Sequence, residues 1–141
     1  MTRTSLSTLR RGALVLGASL LLSAAALAQE KVVFQVSDAD PAKWNLTLNN
    51  IRNVQQDLGA DKVEVEVVAY GPGIGMLKMG SQVGERVSEA MKSGIHVVAC
   101  ENTMQNLKLT KADMLSDIGY APSGVVELMK KQQQGWAYVR P

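Results

Sequence analysis

From Lys31 onward, short apolar runs alternate with stretches in which apolar residues return every third or fourth position. The first run, Lys31 to Val36, is rich in β-branched residues and nearly continuous in hydrophobicity, the pattern of a strand buried on both faces. Asp40 followed by Pro41 then signals a helix start. The carboxylate can accept free backbone N–H groups, and proline occupies a position that needs no donor. Trp44, Leu48, Ile51, Val54 and Leu58 recur at helical spacing up to Gly59, a helix-terminating residue. Asn49, Asn50 and Asn53 lie on this helix either as exposed polar positions or with one of them reaching into a site. Asn45-Leu46-Thr47 has the form of a glycosylation sequon, a short match that nothing else in the sequence supports.

Lys62 to Tyr70 predicts a second strand that alternates at first and so sets Glu64 and Glu66 on one face, near a sheet edge or a partner subunit. It runs into the glycine loop Gly71-Pro72-Gly73-Ile74-Gly75. The lysine–hydroxyl ending of a phosphate-binding P-loop is missing and the dinucleotide fingerprint is incomplete, so the loop is a weak nucleotide signal. Met76 to Lys92 predicts a short helix and a longer one, interrupted at Gly80 and Gly84 and closed by Gly94.

A third strand, Ile95 to Cys100, ends at the only cysteine. Asn102 or Thr103 can cap a short helical turn after it, and Thr110 with Asp113 has the form of a capping box. Residues 120–124 read as a connection, Ser123 as the cap of a helix through Val125, Leu128 and Met129, and 136–139 as a last short strand. Strands and helices thus alternate. The class is α/β, a parallel sheet covered on both faces with right-handed crossovers.

Ahead of this pattern stand Arg3, Arg10 and Arg11, an apolar run from Ala13 to Leu27, and Ala26-Leu27-Ala28. A basic start, an apolar middle of about 15 residues against the ~20 of a spanning helix, and a small-x-small site together read as a secretory signal peptide over residues 1–28. The alternative is a retained membrane anchor, and Arg10-Arg11 leaves the export route open. The remaining domain, 29–141, is expected to be exported to the periplasm and to have no membrane association after cleavage. Removing residues 1–28 takes away three arginines and no acid. That turns fifteen basic and thirteen acidic side chains into a net charge of −1, and with no basic run or aromatic-basic stripe it excludes a nucleic-acid partner.

A single cysteine forms no internal disulfide; in an oxidising compartment it is buried and inert, paired to another chain, or kept for reactivity. As a nucleophile Cys100 needs to be a thiolate, favoured by the positive end of a helix starting near Asn102 and Thr103 or by a cation such as Lys78, and opposed by Glu101. His96 shares its strand face but lies roughly 13 Å away, so it reads as a structural histidine, with action as a base open to it only from a neighbouring subunit. Met76, Met79 and Met104, with Cys100 and His96, form a soft-ligand set suited to Cu(I), though methionines at these spacings are more often core fillers and no compact metal motif is present.

The chain resembles the DsrE/DsrF-like family in Leu48-Asn49-Asn50-Ile51-Arg52-Asn53, Val67-Val68-Ala69-Tyr70-Gly71-Pro72-Gly73 and Ala99-Cys100-Glu101-Asn102-Thr103-Met104. The likeness continues in Pro122-Ser123-Gly124-Val125 and in Gln134-Gly135-Trp136-Ala137-Tyr138-Val139-Arg140-Pro141. The resemblance implies a three-layer α/β/α fold on a mainly parallel five-stranded sheet, assembled as a homo-oligomer, trimer or hexamer. In some branches of the family it also implies a cysteine that accepts and passes a persulfide between donor and acceptor proteins, in sulfur oxidation or in relays for thiolated tRNA. Cys100 fits that role, at the open rim of the sheet, with Asn102, Thr103, Asn50, Gly73 and Lys78 as supporting pocket residues and no metal or other cofactor. The alternative is a non-catalytic binding or assembly protein, in a metal-binding version for Cu(I), with Cys100 as ligand or core residue.

Overall fold

A computed structural model describes residues 29–141; the expected signal peptide, 1–28, lies outside the described residues. The elements are β1 (Glu30–Val36), α1 (Pro41–Leu58), β2 (Val63–Ala69), a 3-10 helix (Gly71–Leu77) and α2 (Gly84–Lys92). They continue with β3 (His96–Cys100), α3 (Glu101–Asn106), a 3-10 turn (Lys111–Asp113), β4 (Gly119–Ala121), α4 (Gly124–Gln133) and β5 (Ala137–Val139).

All strand pairs are parallel and the order is β4-β3-β2-β1-β5. Four successive strands therefore step across the sheet in one direction, and α4 carries the chain back to place β5 beside β1. With right-handed crossovers a reversed step puts its helix on the opposite face, and the cores obey this. Val32, Phe34, Val65, Val67 and Val97 pack against Trp44, Leu48 and Ile51 of α1 and Val87 of α2. The alternate residues Val33 and Val68 pack against Leu128 of α4 and against Trp136. The result is the expected three-layer α/β/α architecture, with one face covered by several helices and the other by α4.

Local signals act largely as expected at α1. Asp40 Oδ1 accepts the Ala42 N–H at 2.9 Å, Pro41 opens the helix, and Gly59 closes it at φ 96°. The capping box of Thr110 and Asp113 is also formed. Three details differ. The glycine loop is itself a 3-10 helix, because its amide groups fold back at i+3, as in Gly73 N–H to Tyr70 O at 3.1 Å. Tyr120 and Ala121, expected as part of a connection, form with Gly119 the edge strand β4, whose pairing comes from β3 through Val98↔Gly119, Ala99↔Tyr120 and Cys100↔Ala121. Glu64 and Glu66 share a face as expected, yet β2 is the central strand, not an edge. There Glu64 meets Lys31 of β1 at 3.3 Å, and Glu66 is buried under α4 against Lys131 at 2.7 Å.

Candidate functional site

The chain reverses its direction across the sheet after β4, which opens a crevice between the carboxyl ends of β3 and β4. The connection after β3 leads to one face and that after β4 to the other, the place where parallel α/β sheets bind ligands. Cys100 is the last residue of β3 and Ala121, its register partner, the last of β4. By strand alternation Cys100 shares the face of Val98, beneath α4.

Helices begin on both sides of the thiol. Cys100 itself occupies the cap position of α3, so Asn102 and Thr103, expected as caps, stand inside the first turn. Ser123 occupies the cap position of α4 without bonding the helix through its side chain. Burial pushes the Cys100 thiol up. The Thr103 hydroxyl, the backbone N–H of Gly124 and those of Thr103 and Asn102 together outweigh it, leaving the thiol more acidic than an ordinary cysteine. Every group favouring the thiolate is a neutral N–H or O–H. The Asn102 amide divides its attention, since it also donates to Pro122 O at 3.1 Å and so ties the two loops of the crevice together.

Thr103 is fixed from behind. Its Oγ1 accepts the Gly71 N–H at 2.9 Å, which leaves the hydroxyl proton free to point at the sulfur. Gly71 reaches this position with φ 52°, a backbone conformation suited to glycine. Gly124 lets α4 approach: a methyl group there would lie 3.0 Å from Tyr70 Cβ and 3.3 Å from Cys100 Cβ.

Cys100 is free but only 5 % exposed. The sulfur is thus at the rim of the sheet, as expected, but covered rather than open, because α4 and the Tyr70 segment close over it. Thr103, Gly124 and Asn102 nonetheless keep the covered thiol more acidic than an ordinary cysteine.

Of the expected supporting residues, the structure brings only Asn102 and Thr103 to the sulfur. Gly73 presses against the end of β1 instead: an added Cβ would lie 2.2 Å from Val36 O, so this glycine is needed for close backbone approach. Asn50 sits midway along α1 on the other side of the sheet, about 14 Å by helical rise from the start of its helix. Lys78 is exposed and pairs with Met114 in an isolated antiparallel bridge. Asp113 is held below the usual carboxylate range by the Thr110 backbone N–H and hydroxyl, and additionally by Lys78, whose charge therefore acts there rather than on the thiol. Glu101 adds to the burial that raises Tyr120.

His96 lies at the far end of β3 from Cys100, exposed, as strand geometry required. The soft-ligand set does not assemble: Met76 and Met104 are buried in the core on the α1 side, and Met79 is 65 % exposed. Among the described residues no group of three or more His, Cys, Asp or Glu side chains comes together to hold a metal ion. Asn45 is also committed. Its amide donates to Pro41 O at 3.0 Å and its oxygen accepts from Arg86, so the sequon nitrogen is engaged in a helix. Among the described residues no helix is long and apolar enough to cross a membrane.

Sequence reading missed Gly124, Gly71 and Tyr70. The signal available for them was the block Pro122-Ser123-Gly124. A helix start there matters to Cys100 only once β4 is recognised as the neighbour of β3.

The fold and this crevice define a small α/β protein of the switch-point type, built around one cradled thiol. The family model described as "DsrE/DsrF-like family" matches residues 22–141, and the chain belongs to that family, which is associated with sulfur metabolism in general. The chain is similar to MTH1491 from Methanobacterium thermoautotrophicum, a solved protein of unknown function, at 35% identity and a TM-score of 0.76, over 79% of this chain and 99% of that one. It shares its fold, at 14% identity and a TM-score of 0.67, with BT1422 from Bacteroides thetaiotaomicron, over 82% of this chain and 99% of that one. No curated protein matches the chain.

Proposed function

We propose that this protein is an exported homo-oligomeric sulfur carrier in which Cys100 accepts and passes on a single sulfur as a persulfide. The observation that carries the reading is the convergence of two helix starts and the Thr103 hydroxyl on the one cysteine, at the crevice between β3 and β4. Neutral hydrogen-bond donors stabilise an anionic sulfur without consuming it, which suits a thiolate that must attack and then be regenerated.

In the transfer the Cys100 thiolate attacks the terminal sulfur of a donor persulfide. A new S–S bond forms on Cys100, the donor's S–S bond breaks, and the donor thiolate leaves with the electron pair. An acceptor thiolate then attacks the terminal sulfur, takes it, and releases Cys100 as the thiolate. One sulfane sulfur moves in each half, and no external oxidant or reductant enters. The N–H and O–H donors hold the negative charge on the attacking sulfur in the first half and on the departing one in the second.

Assembly and export are part of the same reading. The outer side of α4 exposes Val125, Val126 and Met129, an apolar stripe that a second copy would cover. The basic, apolar and small-residue pattern of 1–28 supports export.

One observation favours the alternative, a non-catalytic assembly protein with Cys100 as a core residue: its 5 % exposure. The two readings separate by mass spectrometry after incubation with polysulfide. A carrier gains one sulfur atom on Cys100 that Cys100→Ser does not gain. Failure to load under conditions that load an established carrier removes the persulfide reading.

A further inference from the structure

On the face away from Cys100, α1 and α2 flank a groove of about 220 Å³. Arg86 of α2 reaches across it. One guanidinium nitrogen donates to Asn49 Oδ1 at 2.7 Å and the other to Asn45 Oδ1. The two asparagines are one turn apart on α1 and so present their oxygens side by side. Both acceptors are neutral. Among the described residues neither Arg86 nor Arg52, on the opposite wall, has a carboxylate within ion-pair distance. Glu89 is the only acid lining the groove, so two guanidinium charges face one carboxylate.

The floor is apolar, made by Leu48 and Ile51, both buried. One end is closed where Gln55 Nε2 donates to Ser93 O at 3.1 Å. A fixed guanidinium bonded to neutral acceptors, beside a second free one and above an apolar floor, with one carboxylate for the two charges, is a preorganised receptor for an anion with a short apolar body. Arg86 already has its orientation set by amides, so binding costs it little conformational freedom.

We propose that the α1–α2 groove binds a small organic anion of the short-chain carboxylate class, its carboxylate on Arg86 and Arg52 and its chain over Leu48 and Ile51. This site is independent of Cys100 and of the sulfur chemistry. Bridging of two helices would account for Arg86 alone, but not for Arg52 or for the groove.

The test is an NMR titration of the full mature chain with hexanoate, with sulfate and hexanol as separate arms. Hexanoate is expected to give saturable shifts at the amides of Asn49, Arg52, Ala90 and Ser93, stronger than sulfate (charge alone) or hexanol (chain alone). Arg52→Gln, an exposed position whose loss leaves the fold intact, is expected to weaken binding about tenfold, equivalent to about 1.4 kcal/mol. Arg86→Gln is expected to abolish it; where that variant fails to fold, Arg52→Gln decides. Absence of saturable hexanoate shifts, or binding that Arg52→Gln leaves unchanged, overturns the proposal and leaves Arg86 as a helix bridge only.

Discussion

Gly71 donates its amide proton to the hydroxyl oxygen of Thr103 at 2.9 Å, and this contact aims the Thr103 hydroxyl at Cys100. The 3-10 segment after β2 thereby takes part in the chemistry of a residue on β3 that it precedes by almost thirty positions in the chain. Replacing Thr103 with valine keeps the shape but removes both the acceptor for Gly71 and the donor for sulfur. Thr103→Val is expected to raise the Cys100 pKa and to cost about 1–3 kcal/mol, the penalty for a polar group left unpaired. Thr103→Ser is expected to restore the thiol's acidity. The pH dependence of alkylation by iodoacetamide reads the first effect and urea denaturation the second; equal midpoints for wild type and Thr103→Val would show that the hydroxyl does not act on the sulfur.

The lowered thiol pKa also has a stability consequence. A group whose folded-state pKa lies below its unfolded value stabilises the fold above the unfolded pKa and loses that contribution as pH falls through the folded one. For Cys100 the unfolded reference is 9.0. The stability of wild type relative to Cys100→Ser is therefore expected to grow on moving from neutral pH toward pH 9 and to level off above it. A difference that stays flat across this range in urea titrations contradicts the cradle.

Close approach at two glycines sets a different kind of limit. At Gly73 an added methyl would sit 2.2 Å from a backbone oxygen that cannot rotate away, and Gly73→Ala is expected to cost more than about 3 kcal/mol or to prevent folding. At Gly124 the contacts are with Tyr70 and Cys100 side chains at 3.0 Å and 3.3 Å, which can yield by small shifts. Gly124→Ala is expected to fold with a loss of about 1–3 kcal/mol and to move the α4 amide off the thiol, so that the Cys100 pKa read from the pH dependence of alkylation rises. Thermal melts and alkylation rates on the same samples check both; Gly73→Ala with a wild-type melt would contradict the close packing of the loop on β1.

Much of this fold was legible because its signals are local. Asp40 and Pro41 announce α1, the spacing from Trp44 to Ile51 defines its buried face, and continuous β-branched runs mark β1 and β2. β4 was not legible: in Gly119-Tyr120-Ala121 only the tyrosine favours a strand, and β3 supplies its pairing. The same gap hid the partners of Cys100. Thr103 was readable from its position after the strand, but Gly124 reaches the sulfur, and Gly71 reaches Thr103 behind it, only through strand order, which local patterning does not encode. The surroundings of Glu66 failed similarly. Alternation placed it on a face with Glu64, yet whether that face was an edge or lay beneath a helix depended on where the chain turned back.

Glu66 supplies the last prediction. Its carboxylate is buried on the central strand, one oxygen 2.7 Å from Lys131 Nζ and the other, Oε1, without a hydrogen-bond partner. Lys131 also stacks over the Trp136 ring at 4.2 Å and approaches Glu127 at 3.8 Å, so this ammonium ties α4 to the sheet beside the packing of Leu128. Burial raises the Glu66 pKa and outweighs the lowering by Lys131, with Glu127 adding to the rise. A raised folded-state pKa means the native state holds the proton more tightly. The resulting stabilisation is fully present below the unfolded value of 4.5 and is lost as pH rises through the folded pKa. At pH 7 the charged Glu66 is therefore a burden that Lys131 only partly relieves. Glu66→Gln is expected to match or exceed wild-type stability there, within about 1 kcal/mol, and to flatten the pH profile above 4.5. Lys131→Met leaves the carboxylate buried without its cation and is expected to cost about 3–5 kcal/mol at pH 7 and less as pH falls and the carboxyl protonates. Urea denaturation of the three proteins from acid to neutral pH measures all of this, and a Glu66→Gln variant that is much weaker than wild type at pH 7 would show that the ion pair is a net stabiliser of α4.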